Sequence, residues 1–175
     1  MSTITLEVVA GSLRNARLQG RPISAPTETW PDLDADAAFE VQKINVADAI
    51  ANGDRLVGYK LGNIAKVMQD AFGLDQPDYG HLLASTFEYE GTTLERDNFI
   101  EPFVELEPAF VLGKHLGGRN TTIADVINAI DYAMPAIESS TPASRIGRSA
   151  FLTRWPITVP RAPSFLAEPR GASPI

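Results

Sequence analysis

FIEPFVELEPAFVLGK, Phe99 to Lys114, is the stretch on which the fold turns. It is rich in aromatic and branched apolar residues, the composition of a β-strand. Pro102 and Pro108 interrupt it, so edges or bulges are expected there. In a strand Glu105 and Glu107 lie two apart and point to one side, while Val104, Leu106 and Phe110 point to the other. Two like charges side by side repel unless that face is wet or a cation lies between them. A solvated face and a cation site are both open at this point.

Working outward, the neighbouring segments supply more elements. Thr3 to Gln19 spaces Leu6, Val9, Leu13 and Leu18 as an amphipathic helix, with Gly11 its weak point. GRPISAPTETWPDLD is a proline-rich connection, and Asp36 to Asn52 resumes helical spacing with Ala38, Phe39, Ile44, Val46 and Ile50. Arg55 to Gly62 reads as a strand, and Ala65 to Phe72 as a helix stopped by Gly73. DQPDYGHLL reads as a loop because Pro77 and Gly80 break both periods. Thr86 to Tyr89 followed by EGTT reads as a strand turning into another. Thr122 to Ala133 predicts a helix capped by Thr122 with Asp125, with Ile123, Val126, Ile127 and Ile130 as its stripe and Pro135 ending it.

Composition excludes several chemistries. There is no cysteine, so disulfides, thiolate nucleophiles and Cys-bound zinc are out. His81 and His115 are too few for a His-rich site, so a metal would be held mainly by oxygen. A net charge of −7 argues against a nucleic-acid or anionic-membrane partner. No secretory leader or membrane-length apolar run stands in the 175 residues, and a cytoplasmic location is the expectation.

Three further polar positions stand out. Glu138, in the apolar PAIE context, reads as a helix-end surface residue or as a third carboxylate of an all-oxygen site. Lys60, in VGYKLG, reads as a strand-edge lysine or as a buried ammonium placed for proton transfer or an anionic substrate. Asp78, Tyr79 and His81 share one segment, as loop polars or as site residues.

VGYKLG, DQPDYGHLL, FIEPFVELEPAFVLGK and PAIE, in that order and spacing over Leu56 to Glu138, resemble the 2-keto-4-pentenoate hydratase and 4-oxalocrotonate decarboxylase group of the fumarylacetoacetase-like superfamily. The resemblance implies an α+β fold: a helical N-terminal segment over residues 1–54 packed on a mixed β-roll over residues 55–138, incomplete at the C-terminus. It implies Glu105, Glu107 and Glu138 as ligands to Mg²⁺ or Mn²⁺, with Lys60 and Asp78 in proton transfer and substrate binding. The implied reaction is hydration of a 2-hydroxypenta-2,4-dienoate-type acid to a 4-hydroxy-2-oxo acid in aromatic meta-cleavage catabolism. The rivals are a 4-oxalocrotonate-type decarboxylase, a fumarylacetoacetase-like hydrolase, and a non-catalytic remnant or partner subunit. A homo-oligomer or a complex with a related subunit fits the same context. Pro108, where such proteins carry an apolar residue such as Ile, and NIAK after Gly62, where they carry LTSK, depart from the pattern.

After Glu138 the chain changes character. Residues 1–138 hold 10 Lys+Arg and 21 Asp+Glu, net −11, whereas residues 139–175 hold five Arg and Glu168 alone, net +4, with six of the 13 prolines. Such a shift marks a linker, a tail or foreign coding. The relatives continue with a stretch like IVDSRIADWKI. Loss of one base at the Glu138 codon turns GAG ATC GTC GAC TCC CGC into GAA TCG TCG ACT CCC GC, which translates as Glu-Ser-Ser-Thr-Pro-Ala, residues 138–143 here. With permitted third bases, Thr141 through Glu168 rewrites as DSRIADWKIGLPDTVADNGSSGAFVLGG. A shifted frame is therefore the expectation for residues 139–175, with a genuine divergent tail as its rival.

Overall fold

The computed structural model describes residues 3–144, 154–157 and 160–161. Most of the tail rewritten above, residues 145–153, 158–159 and 162–175, lies outside the described residues.

The helical part is built as the spacing predicts. Helix α1, Thr3–Leu18, buries Val9, Ala10, Leu13 and Ala16 against α3, Ala35–Ala51, whose Val41 is equally buried. Asp34 caps α3 by accepting from the Ala37 amide at 2.8 Å, satisfying one of the amides a helix start leaves unpaired. Leu33, Ile23, Trp30 and Ala143 close this core. The proline-rich connection carries one short turn, α2, Pro26–Thr29, with proline at the first helical position, where its missing N–H costs nothing. Leu18, expected on the apolar stripe, stands at the end of α1 and is 84% exposed.

Strand β1, Leu56–Gly62, and helix α4, Lys66–Phe72, follow the prediction, and Gly73 ends α4 with φ 69°. The segment expected to be a loop is instead strand β2, Asp78–Leu83, antiparallel to β1. Gly80 is carried in the strand as the partner of Lys60, and Pro77 lies just before its first residue. The expected hairpin after Thr86 reduces to β3, Glu88–Tyr89, paired in parallel with the short β7, Pro160–Arg161.

Strand β4, Phe103–Leu112, runs ten residues without a break at Pro108. It pairs antiparallel with β5, Ile130–Pro142, and β5 pairs with β6, Arg154–Ile157. Pro108 lies opposite Pro135. Neither has an N–H to give, so this rung is one of the non-hydrogen-bonded rungs that alternate along an antiparallel pair. The only irregularity between the two strands is at Val111/Leu112.

The final predicted helix is shorter than its periodicity suggests. Helix α5 spans Ile123–Ala129 and begins with the expected capping box of Thr122 and Asp125. The chain then passes directly into β5, so Pro135 and Glu138 are strand residues and not the end of a helix. Pairing with β4 overrides helical spacing here, and the Ile123 and Ile127 stripe stays exposed. Strand β4 is likewise turned against its hydropathy: Val104 and Leu106 are 71% and 79% exposed, while Glu105 and Glu107 lie on the half-buried side.

Candidate metal and substrate site

Three strands bring the predicted polar residues together. The register of β4 and β5 places Glu105 directly opposite Glu138, with Glu107 two residues further along on the same face. Oxygen atoms of Glu105, Glu107 and Glu138 all lie within 4.8 Å of one another. Glu138 is buried, whereas the other two are half-buried. Lys60 reaches in from β1 and its Nζ donates to Glu107 Oε1 at 2.8 Å. The same Nζ lies 2.7 Å from Glu138 Oε2. That oxygen is buried, with the ammonium as its close charged partner.

Charge and burial explain the resulting electrostatics. Burial holds the Glu138 carboxyl above its ordinary value, and the charges of Glu105 and Glu107 push the same way against the pull of Lys60. Burial alone would lower the Lys60 ammonium, but its hydrogen bonds to Glu107 and Glu138 prevail and leave it above its ordinary value. Among the described residues, Glu107 and Glu138 share the Lys60 ammonium, and Glu105 brings a third carboxylate beside them. A hard divalent cation with oxygen ligands suits that donor set.

Asp78 joins the site through the β1–β2 register. It faces Gly62, where a Cβ would stand 2.0 Å from Asp78 Oδ1, so only glycine leaves this carboxylate its place. Asn63, in the left-handed region at φ 51°, donates its Nδ2 to Asp78 Oδ2 at 3.0 Å. Buried Gln69 in turn donates to the Asn63 carbonyl at 2.8 Å. Sequence reasoning did not single out Asn63 or Gln69. The signal for Asn63 was present, since Gly-Asn at a strand end is where asparagine takes up positive φ.

Tyr79 and His81, grouped with Asp78 in the sequence, alternate to the other face of β2. There Tyr79 stacks on Phe39 of α3 at a centroid distance of 4.9 Å, and His81 Nδ1 bonds Gln42 Oε1. These two residues tie the strand pair to the helices. Lys60, Asp78 and the three glutamates line one cavity of about 560 Å³, large enough for a small organic acid, with Leu61, Ile64 and Met68 on its apolar wall.

Comparison with known proteins follows the same lines. No protein-family profile matches the chain. It is 40% identical over 134 residues to 2-oxo-hept-4-ene-1,7-dioate hydratase of Escherichia coli, covering 77% of this chain and 50% of that protein. It is 44% identical over 107 residues to the TodF product hydratase of Pseudomonas putida, covering 61% and 40% respectively. It is 39% identical over 132 residues to 2-keto-4-pentenoate hydratase 2 of Dechloromonas aromatica, covering 75% and 50%. The chain is a homologue of the 2-keto-4-pentenoate hydratases. It spans about half the length of these hydratases. The hydratase homologue also shares its fold with 4-oxalocrotonate decarboxylase from Pseudomonas putida G7, solved with magnesium and adipate, at a TM-score of 0.81 and 23% identity over 91% of this chain and 63% of that one.

Proposed function

We propose that Glu105, Glu107 and Glu138 hold Mg²⁺ or Mn²⁺, and that this centre serves hydration of a 2-hydroxypenta-2,4-dienoate-type acid to a 4-hydroxy-2-oxo acid. The observation that carries the reading is the convergence of three carboxylates, one oxygen of each within 4.8 Å of the others, with Glu138 buried among them. Identity of 37–44% to hydratases, against 23% to the decarboxylase, favours water addition over loss of CO₂.

A divalent cation held there supplies electrostatic stabilisation of the negative charge that builds on the substrate 2-oxygen. Lys60 carries the mobile proton at Nζ, beside two of the carboxylates. Asp78, fixed by Asn63 on the same cavity wall, is the second proton-transfer group. In the net reaction the proton leaves the 2-hydroxyl, carbon 5 is protonated, and water adds its hydroxyl to carbon 4 and its proton to carbon 3. The apolar wall of Leu61, Ile64 and Met68 receives the hydrocarbon end of the acid.

Residues 1–54 act in this reading as the helical segment that braces a β-roll formed by residues 55–138. The setting is cytoplasmic aromatic catabolism. Among the described residues no helix is long and apolar enough to cross a membrane. The second reading is a metal-binding remnant or partner subunit without turnover. Following 2-hydroxypenta-2,4-dienoate and 4-oxalocrotonate side by side, with Mg²⁺, Mn²⁺ or chelator, tests both. Chelator-sensitive loss of the dienoate supports the hydratase; Mg²⁺ binding without turnover supports the second reading. Turnover indifferent to chelator refutes the metal mechanism.

A further inference from the structure

Four polar residues directly after Glu138 are buried as if they were core. Ser139, Ser140, Thr141 and Ser144 are 7%, 3%, 4% and 1% exposed. Ser144 Oγ has no hydrogen-bond partner, which leaves a buried hydroxyl desolvated without compensation. Thr141 Oγ1 accepts from two backbone amides at once, Ile100 at 2.8 Å and Glu101 at 3.1 Å. Such a pair of donors is what a carboxylate is suited to receive.

These places call for two or three apolar side chains and one carboxylate. Read through TCN serine codons, the neighbouring frame places an apolar residue (Phe, Leu, Ile or Val) at 139, 140 and 144 whatever the free base, and permits isoleucine at 139, valine at 140, aspartate at 141 and isoleucine at 144. Each agrees with the burial or hydrogen bonding of its position. Arginine at 143 is the exception: Ala143 is 8% exposed and packs in the helical core, although it also borders the cavity.

We infer that β5 past Glu138 is occupied by out-of-frame residues, and that the sheet was shaped for the neighbouring frame's Ile-Val-Asp-Ser-Arg-Ile. The inference rests on side chains inside the sheet and core. It is independent of the metal reading and of where either terminus falls.

The third bases of codons 138–168 test it directly. The expected result is that insertion of one base in the Glu138 codon gives IVDSRIADWKI and a continuing open frame. Third bases that give any other translation at 139, 140 or 144 overturn the inference. The protein supplies an independent measurement. In the 175-residue chain, Ser139→Ile, Ser140→Val and Ser144→Ile together are expected to raise Tm by roughly 5–10 °C. Ser144→Ile alone, which removes the unpaired hydroxyl, accounts for at least a third of the rise. A triple variant that melts at or below the parent, or a single Ser144→Ile that does so, counts against it.

Discussion

Replacing Glu138 with glutamine separates a metal ligand from a structural salt-bridge partner by the sign of its effect on stability. The carboxylate oxygens of Glu105 and Glu107 lie within 4.8 Å of that of Glu138. At an effective dielectric of about 20, each repulsion is worth at least roughly 3.5 kcal/mol. Lys60, 2.7 Å away, returns roughly 6 kcal/mol on the same scale, slightly less than the two repulsions together. Desolvation of the buried carboxylate adds to the deficit, which is why its protonation is favoured. The glutamine variant keeps the shape and removes the charge. In chelator it should therefore be more stable than the parent by about 1–2 kcal/mol, a rise in Tm of about 4 °C for a chain of this size. In excess Mg²⁺ the order reverses. At 100 times its Kd the ion stabilises the parent by about 2.7 kcal/mol, and the variant gains little. Thermal melts of both proteins in chelator and in a Mg²⁺ series provide the measurement. A variant less stable than the parent in chelator, or one that gains as much from Mg²⁺, refutes the reasoning.

Three other outcomes follow from the same geometry. Lys60→Met leaves the carboxylates without their ammonium and should cost about 3 kcal/mol in chelator, with Mg²⁺ restoring part of it; a melt unchanged in chelator contradicts this. Gly62→Ala drives a Cβ into Asp78, so denaturant melts should show a loss of about 1–3 kcal/mol while Mg²⁺ affinity by calorimetry stays within threefold. His81 is held below its ordinary value by burial, with Lys43 adding to the effect. The unfolded chain therefore binds more protons there, and stability rises with pH through the ordinary histidine range and falls as pH drops below it. Subtracting the melting profile of His81→Gln from that of the parent between pH 7 and pH 5 should isolate that slope.

The site was legible where chemistry depends on alternation and hidden where it depends on pairing. Glu105 and Glu107 share a face because a strand repeats every two residues, and that can be read from FVELEPAF. That Glu138 meets them follows from a register set by another strand, which no local period encodes. The error at DQPDYGHLL has the same origin. Gly80 and Pro77 are breakers in isolation, but pairing with β1 holds Gly80 in the ladder opposite Lys60, and Pro77 lies outside the strand. The overlong helix prediction through Ala133 failed because Ile130 fits both a helical stripe and a strand, and its β4 partner Leu112 decides between them. Helix α1 was readable because its contacts are set by its own spacing, with Val9 and Leu13 buried on it; α3 was readable as a helix, but it buries Val41, which its expected stripe omitted, and leaves Ile50 exposed.

The facing prolines 108 and 135 guard a register that hydrophobicity alone would not choose. Slipping β5 by one residue would turn Glu138 to the opposite face and scatter the carboxylates. In any such slip the two prolines fall on adjacent rungs. Because hydrogen-bonded and non-hydrogen-bonded rungs alternate, one proline must then occupy a rung that demands an N–H it lacks. The pair thus acts as a proofreading device against a one-residue slip: the sheet misaligned by one forfeits a ladder bond that the observed alignment keeps.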